Sequence, residues 1–150
     1  VPLIISAPGL GKGGAKTSAI SELIDIFPTL TDLSGLPSPP QLDGTSLVPV
    51  LKDPTANVKT AALTQHPRPA LYWGGGPQAL PQVMGYALKT DRWSYHEWRD
   101  FKTDHVVSQE LYDQQTDPLE TVNLAGTVEA AAEIPALAEQ LKNMMKGAKR

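Results

Sequence analysis

The sequence predicts an α/β chain in two parts: a strand with helices, then a small antiparallel sheet closed by a C-terminal helix. Three observations carry this. Residues 1–6 are a short continuous apolar run, the pattern of a strand covered on both sides. Residues 83–90 and 93–98 alternate around Thr90-Asp91-Arg92, which makes a hairpin. Ile134, Leu137, Ala138, Leu141, Met144 and Met145 recur at helical spacing.

Taken in order, the first strand leads into a loop rich in Gly and Lys, residues 7–18. Ile20, Leu23, Ile24, Phe27, Leu30 and Leu33 then fall on one helical face. Asp25 is placed to cap this helix, which puts Pro28 in the first turn, and Gly35 closes it as the C′ residue. Pro37, Pro39 and Pro40 demand an extended connector. Asp43-Gly44 makes a turn before a short helix over residues 47–51, ended by Asp53-Pro54. Residues 61–64 suit a strand. Residues 66–82, rich in Pro and Gly with Tyr72 and Trp73, suit a long irregular loop. Residues 109–112 read as a further short strand and Asp117-Pro118 as a turn. Pro135 is expected near the first turn of the last helix, dividing it from the Ala-rich stretch 129–132. Lys142, Lys146, Lys149 and Arg150 suit the negative end of its dipole.

The 150 residues are enough for a real core. A net charge of −3 argues against a general nucleic-acid binder. No apolar run approaches the ~20 residues of a membrane span. The absence of cysteine excludes disulfides, thiolate zinc sites and a Cys nucleophile on this chain. An apolar strand as the very first residues is the mark of a piece of something longer.

Several motifs invite sharper readings. Gly9-Leu10-Gly11-Lys12-Gly13-Gly14-Ala15-Lys16-Thr17 approaches a phosphate loop, but Ala15 between Gly14 and Lys16 breaks the register, and a surface loop is the plainer reading. His96-Glu97 lacks the second His of a zinc helix, and on a strand the two face opposite ways. Trp93 and Tyr95 share one strand face and Trp98 takes the other, which points first to packing and second to a ligand platform. In Gln65-His66-Pro67-Arg68, an imidazole and a guanidinium lie together where the strand enters the long loop. Such a pair receives an anion, or else Arg68 simply ties the loop down.

Ile24-Asp25-Ile26-Phe27-Pro28-Thr29-Leu30, continuing to Asp32-Leu33-Ser34-Gly35-Leu36, resembles the sulfatase-family segment that ends the large domain. Leu42-Asp43-Gly44-Thr45-Ser46-Leu47 resembles the segment after it. Glu110-Leu111-Tyr112-Asp113, Asp117-Pro118-Leu119-Glu120 and Asn123-Leu124-Ala125 resemble the family's C-terminal signature. Gln65-His66-Pro67-Arg68 and Met84-Gly85-Tyr86-Ala87-Leu88-Lys89-Thr90 are similar to the iduronate-2-sulfatase type.

The resemblance implies the C-terminal portion of an alkaline-phosphatase-like sulfatase fold. Residues 1–58 would be the last strand and helices of the large α/β domain, and residues 59–150 the small C-terminal subdomain. It implies hydrolysis of sulfate esters, plausibly of sulfated carbohydrate, by a formylglycine made from Cys or Ser in C/S-x-P-x-R and by a bound Ca²⁺. Neither can be placed here: Ser38-Pro39-Pro40 continues as Gln41-Leu42 without the Arg. Formylglycine and Ca²⁺ are therefore expected in an N-terminal part, with no catalytic or metal residue on this chain, which alone would be inactive. The expected partners are that N-terminal domain or chain and the sulfated carbohydrate. Residues 1–5 and the helix over 22–34 would expose an apolar surface to the domain. His66, Arg68 and Trp73 are the candidates for substrate contact. Export to a periplasm, a lysosome or the outside follows from family resemblance. The rival reading is a stand-alone carbohydrate- or protein-binding module built on the Tyr72/Trp73 loop, and a second rival is nucleotide binding at residues 9–17.

Overall fold

The computed structural model describes residues 2–69 and 81–147. It divides into two compact units, Val1–Ala62 and Leu63–Arg150.

In the first unit, residues 2–22 hold no helix or strand, and Ile4 is 91% exposed. The strand expected at residues 1–6 does not form over the described part. An apolar run becomes a strand only beside another strand that takes up its amides, and residues 2–61 contain none. A 3₁₀ turn, Leu23–Asp25, leads into α1, Ile26–Leu33. This helix is shorter than the apolar spacing from Ile20 implies, although Pro28 does fall in its first turn. Its end is a Schellman motif. The Leu36 N–H reaches the Thr31 carbonyl (3.0 Å) and the Gly35 N–H the Asp32 carbonyl (3.0 Å). Gly35 accordingly has φ +64°, open to glycine at no steric cost. α2, Val48–Lys52, begins with Pro49 in its first turn and buries Val48 and Val50.

α1 is turned about relative to the usual surface helix. Asp25 and Thr29 are the buried members, at 0% and 1% exposure, while Leu23, Phe27 and Leu30 stand 68%, 54% and 56% exposed. The buried polar side is fully bonded. The Asp25 carboxylate accepts the Glu22 N–H (2.7 Å), the Thr45 N–H (2.8 Å) and the Lys59 ammonium (2.6 Å). The Thr29 hydroxyl donates to the Asp25 carbonyl (2.6 Å) and accepts the Leu47 N–H (2.9 Å). Asp25 thus sits at the N-cap position, but its side chain bonds outside α1 rather than to the first-turn amides of that helix. Burial works against the charge of Lys59, yet its bonds to Asp25 and Glu22 outweigh that and raise its pKa.

The second unit is built on a four-stranded sheet in the order β1 (Ala62–Arg68), β2 (Val83–Lys89), β3 (Trp93–Asp100), β4 (Val106–Asp113). β3 pairs antiparallel with both β2 and β4. The hairpin expected around Thr90-Asp91-Arg92 joins β2 to β3, with Thr90 bonded to Trp93 across the turn. β1 runs past the predicted end at residue 64 and carries Pro67, which an edge strand tolerates because one side of it needs no ladder bond. β4 is also longer than predicted.

α3, Val128–Gly147, is one continuous helix with Pro135 inside it, not a helix starting near Pro135. Thr127 caps it by accepting the Ala130 N–H (3.2 Å). Proline in a helix interior removes a hydrogen bond and crowds the preceding turn. Burial of Ala130, Leu137, Leu141 and Met145, one row of the helix, outweighs that cost. α3 lies against β2 and β3. The cross-strand row Leu88, Tyr95, Leu111, each 0% exposed, is the sheet's half of this core.

Candidate functional site

Alternation along β3 divides its chemistry between the two faces. Tyr95, Glu97 and Arg99 point to the core side. The Tyr95 hydroxyl donates to Glu97 (2.6 Å) and accepts from the Gln109 amide (2.6 Å). The Arg99 guanidinium holds the other Glu97 oxygen through two nitrogens, its Nε at 2.8 Å, and reaches Asp104 at 3.2 Å. Burial and the Glu97 carboxylate raise the Tyr95 pKa. Every buried polar side-chain atom among the described residues has a partner. A closed network of this kind fixes the sheet and leaves no group free for substrate.

The other face carries Trp98, Ser94, His96, Glu110 and Tyr112, with Arg68 reaching in from β1. Trp98 lies flat over Gly85 on β2, where a Cβ would meet the indole at 2.7 Å. The Arg68 guanidinium carbon stands 4.9 Å from the centre of the Trp98 ring, in cation–π range. The Trp98 indole N–H donates to Glu110 Oε1 (2.9 Å), and the Tyr112 hydroxyl donates to Glu110 Oε2 (2.8 Å). Burial works against ionisation of Glu110. The Trp98 and Tyr112 bonds and the nearby charges of His96 and Arg68 prevail, holding its carboxyl below the usual value. The same carboxylate pushes the Tyr112 hydroxyl up to about 12. His96 shares a hydrogen bond with the Ser94 hydroxyl (2.9 Å) and meets Tyr112 edge-on.

His66 and Arg68 are two residues apart on β1 and therefore share a face of that strand. Both are exposed. The guanidinium makes no hydrogen bond to another described residue, so its N–H edges are open to an anion. Trp73, with Tyr72 and the glycines beside it, lies outside the described residues. Sequence reasoning found Arg68 but missed its seat. The signal was available in Gly85, a glycine inside an alternating strand, which marks close approach of another group.

The remaining motifs are scaffold. The Asp113 carboxylate binds Arg92 (2.9 Å) and the Gln115 N–H (2.9 Å). The Asp117 carboxylate holds the Thr121 and Val122 N–H groups at 2.7 and 2.8 Å. Asn123 accepts the Leu111 N–H (3.0 Å), and the Leu124 N–H bonds back to the Leu111 carbonyl (2.8 Å), so this segment seals the outer edge of β4. The Gly-rich loop lines a surface cavity with Ile4, Val50 and Leu51. No helix starts at its end, so it lacks the aligned amides that a phosphate loop uses. Among the described residues, no group of three or more His, Cys, Asp or Glu is placed to hold a metal ion.

A family pattern described as N-sulphoglucosamine sulphohydrolase, C-terminal, matches residues 1–147. Arylsulfatase K of Rattus norvegicus is 33% identical over 125 residues, covering 83% of this chain and 21% of that protein. N-acetylglucosamine-6-O-sulfatase of Bacteroides thetaiotaomicron is 31% identical over 154 residues, covering 97% and 25%. The chain thus spans between a fifth and a quarter of the length of these relatives. A solved structure described as in complex with its substrate D-glucosamine-2-N,6-O-disulfate matches with TM-score 0.73 and 28% identity, over 95% of this chain and 27% of that one. A phosphonate monoester hydrolase from Silicibacter pomeroyi shares the fold, at TM-score 0.72 and 24% identity over 95% of this chain and 28% of its own.

Proposed function

Because the chain belongs to the family formed by the C-terminal part of N-sulphoglucosamine sulphohydrolase and related sulfatases, with their alkaline-phosphatase-like fold, we propose that it is the closing part of a sulfuric ester hydrolase acting on sulfated carbohydrate. The observation that carries this is the match over residues 1–147 by relatives four to five times as long. The iduronate-2-sulfatase type is supported by the Gln65–Arg68 and Met84–Thr90 motifs alone, whereas the relatives above are named for aryl and glucosamine sulfates. The neighbour's substrate favours sulfated glucosamine as the first compound to try.

In this proposal the chemistry is divided. Formylglycine and Ca²⁺ supply an activated nucleophile and a Lewis acid in such enzymes. The residues of this chain do not fit either group: it has no cysteine, and its described residues hold no metal cluster. No hydrolytic step is assigned to them. What they supply is binding. Arg68 and His66 present a cation and an imidazole to an anionic substrate group, and Trp73 is kept as the third contact. The exposed apolar side of α1 is the seat of the N-terminal domain, as its partner. Export, to a periplasm, lysosome or extracellular space, completes the proposal. No helix among the described residues is long and apolar enough to cross a membrane.

The test is made on the intact enzyme. The reading frame preceding residue 1 should encode C/S-x-P-x-R, and the product should release sulfate from 4-nitrophenyl sulfate and from D-glucosamine-2-N,6-O-disulfate. Arg68→Ala should raise KM more than it lowers kcat, because the contact is common to substrate and transition state. A frame that begins at residue 1, or sulfate release by the 150-residue chain alone, would sink the reading.

A further inference from the structure

We infer that Trp98 is a positioning residue for Arg68: its indole, laid over Gly85 and tethered by Glu110, holds the guanidinium in place with its N–H edges turned to the substrate's anion. The inference rests on the reading of Arg68 as a substrate contact. It goes beyond that reading by explaining how an exposed arginine on an edge strand becomes a defined binding group.

The physical need is plain. An arginine on the surface samples many rotamers, and ordering it on binding costs affinity. Stacking on an aromatic face removes much of that freedom before the ligand arrives, and it uses the flat side of the guanidinium rather than its donors. Here the guanidinium carbon stands 4.9 Å from the indole centre, and no described residue takes its hydrogen bonds.

The platform is itself fixed from three sides. From below, Gly85 gives the ring room to lie on the sheet, since a Cβ there would come within 2.7 Å of it. At the edge, the indole N–H is bonded to Glu110 at 2.9 Å. Behind Glu110, the Tyr112 hydroxyl occupies the second carboxylate oxygen at 2.8 Å. β2 lies between Arg68 and Trp98 in the sheet, so the arginine crosses a strand to reach its seat. A side chain needed only to tie down its own loop would find carbonyls and carboxylates nearer at hand.

The experiment is steady-state kinetics of the intact enzyme with D-glucosamine-2-N,6-O-disulfate, comparing Arg68→Ala, Arg68→Lys, Trp98→Leu, Trp98→Phe and the Arg68→Ala/Trp98→Leu pair. Trp98→Leu should raise KM about fivefold with kcat within about twofold, and Trp98→Phe, which keeps a π face, should recover most of it. The double variant should match Arg68→Ala, since a platform without its arginine does nothing. Arg68→Lys, an exposed change with little risk to folding, should behave nearly as Arg68→Ala, because an ammonium keeps the charge and loses the planar stack.

If Arg68→Ala raises KM but Trp98→Leu does not, or the two effects multiply, the platform is refuted and the substrate contact stands. A wild-type KM in Arg68→Lys refutes it in the same way, even where Trp98→Leu fails to fold. An unchanged KM in Arg68→Ala overturns the reading of Arg68 itself, and the platform with it.

Discussion

Replacing Phe27 by serine should have opposite consequences in two settings. Phe27 is 54% exposed on the outer side of α1. An aromatic side chain presents on the order of 200 Å², so about 110 Å² of apolar surface stands in water here. Covering that area is worth roughly 3 kcal/mol at ~25 cal/mol per Å². In the isolated chain the substitution removes an exposed hydrophobe and should leave the unfolding midpoint unchanged while reducing self-association. In the intact enzyme, where the proposed N-terminal domain covers this side, the same change should lower the thermal inactivation temperature. Thr29→Val is the internal control. It strips the hydroxyl that accepts the Leu47 N–H and should destabilise by about 1–3 kcal/mol in both settings. Sedimentation and urea titration read the first setting, and inactivation scans at one fixed rate read the second. If Phe27→Ser is neutral in the intact enzyme, the apolar side of α1 is not an interface and the reasoning fails.

Asp25→Ala should cost about 3–5 kcal/mol in urea titration of the chain, because it leaves the Lys59 ammonium short of one partner and two amides unpaired. A loss under 1 kcal/mol would contradict this (roughly the worth of a single exposed pair). Glu110 has its pKa lowered on folding, so the stability it lends is present above its ordinary value of 4.5 and is lost as pH falls through the folded value. Glu110→Gln should therefore flatten the acid limb of the stability–pH curve, and an unaltered limb counts against it. Asn123→Ala uncovers the Leu111 N–H and should destabilise by about 1–2 kcal/mol, with faster hydrogen exchange at that amide.

The parts of the fold legible in the sequence were those whose signal is local. Alternation placed β2 and β3 and put Trp98 on the face opposite Tyr95. Gly35 announced its own turn. The parts that were not legible depend on partners far away in sequence. Residues 2–6 look like a strand by composition, but composition does not supply a neighbouring strand. Pro135 looked like a boundary until a buried row of α3 overrode it. Asp25 was expected to serve its own helix, whereas its partners Thr45 and Lys59 lie 20 and 34 residues on. Of the three candidate contacts, His66 and Arg68 lie on β1 rather than in the loop, and Trp73 falls outside the described residues.

This also explains why the family was recognisable although no catalytic group is assigned here. Asp113, Asp117, Asn123 and Gly35 all answer a demand of the backbone: a turn to close, an amide to satisfy, a strand edge to cover. Those demands belong to the fold, whatever ester is cleaved. A phosphonate monoester hydrolase meets them with the same architecture. Such residues therefore cannot choose between substrates. Selection has to rest on side chains that the fold does not need, and on the described part of this sheet Arg68 fits that description best. It is exposed, unbonded by its neighbours, and seated on a tryptophan whose own bonds are complete.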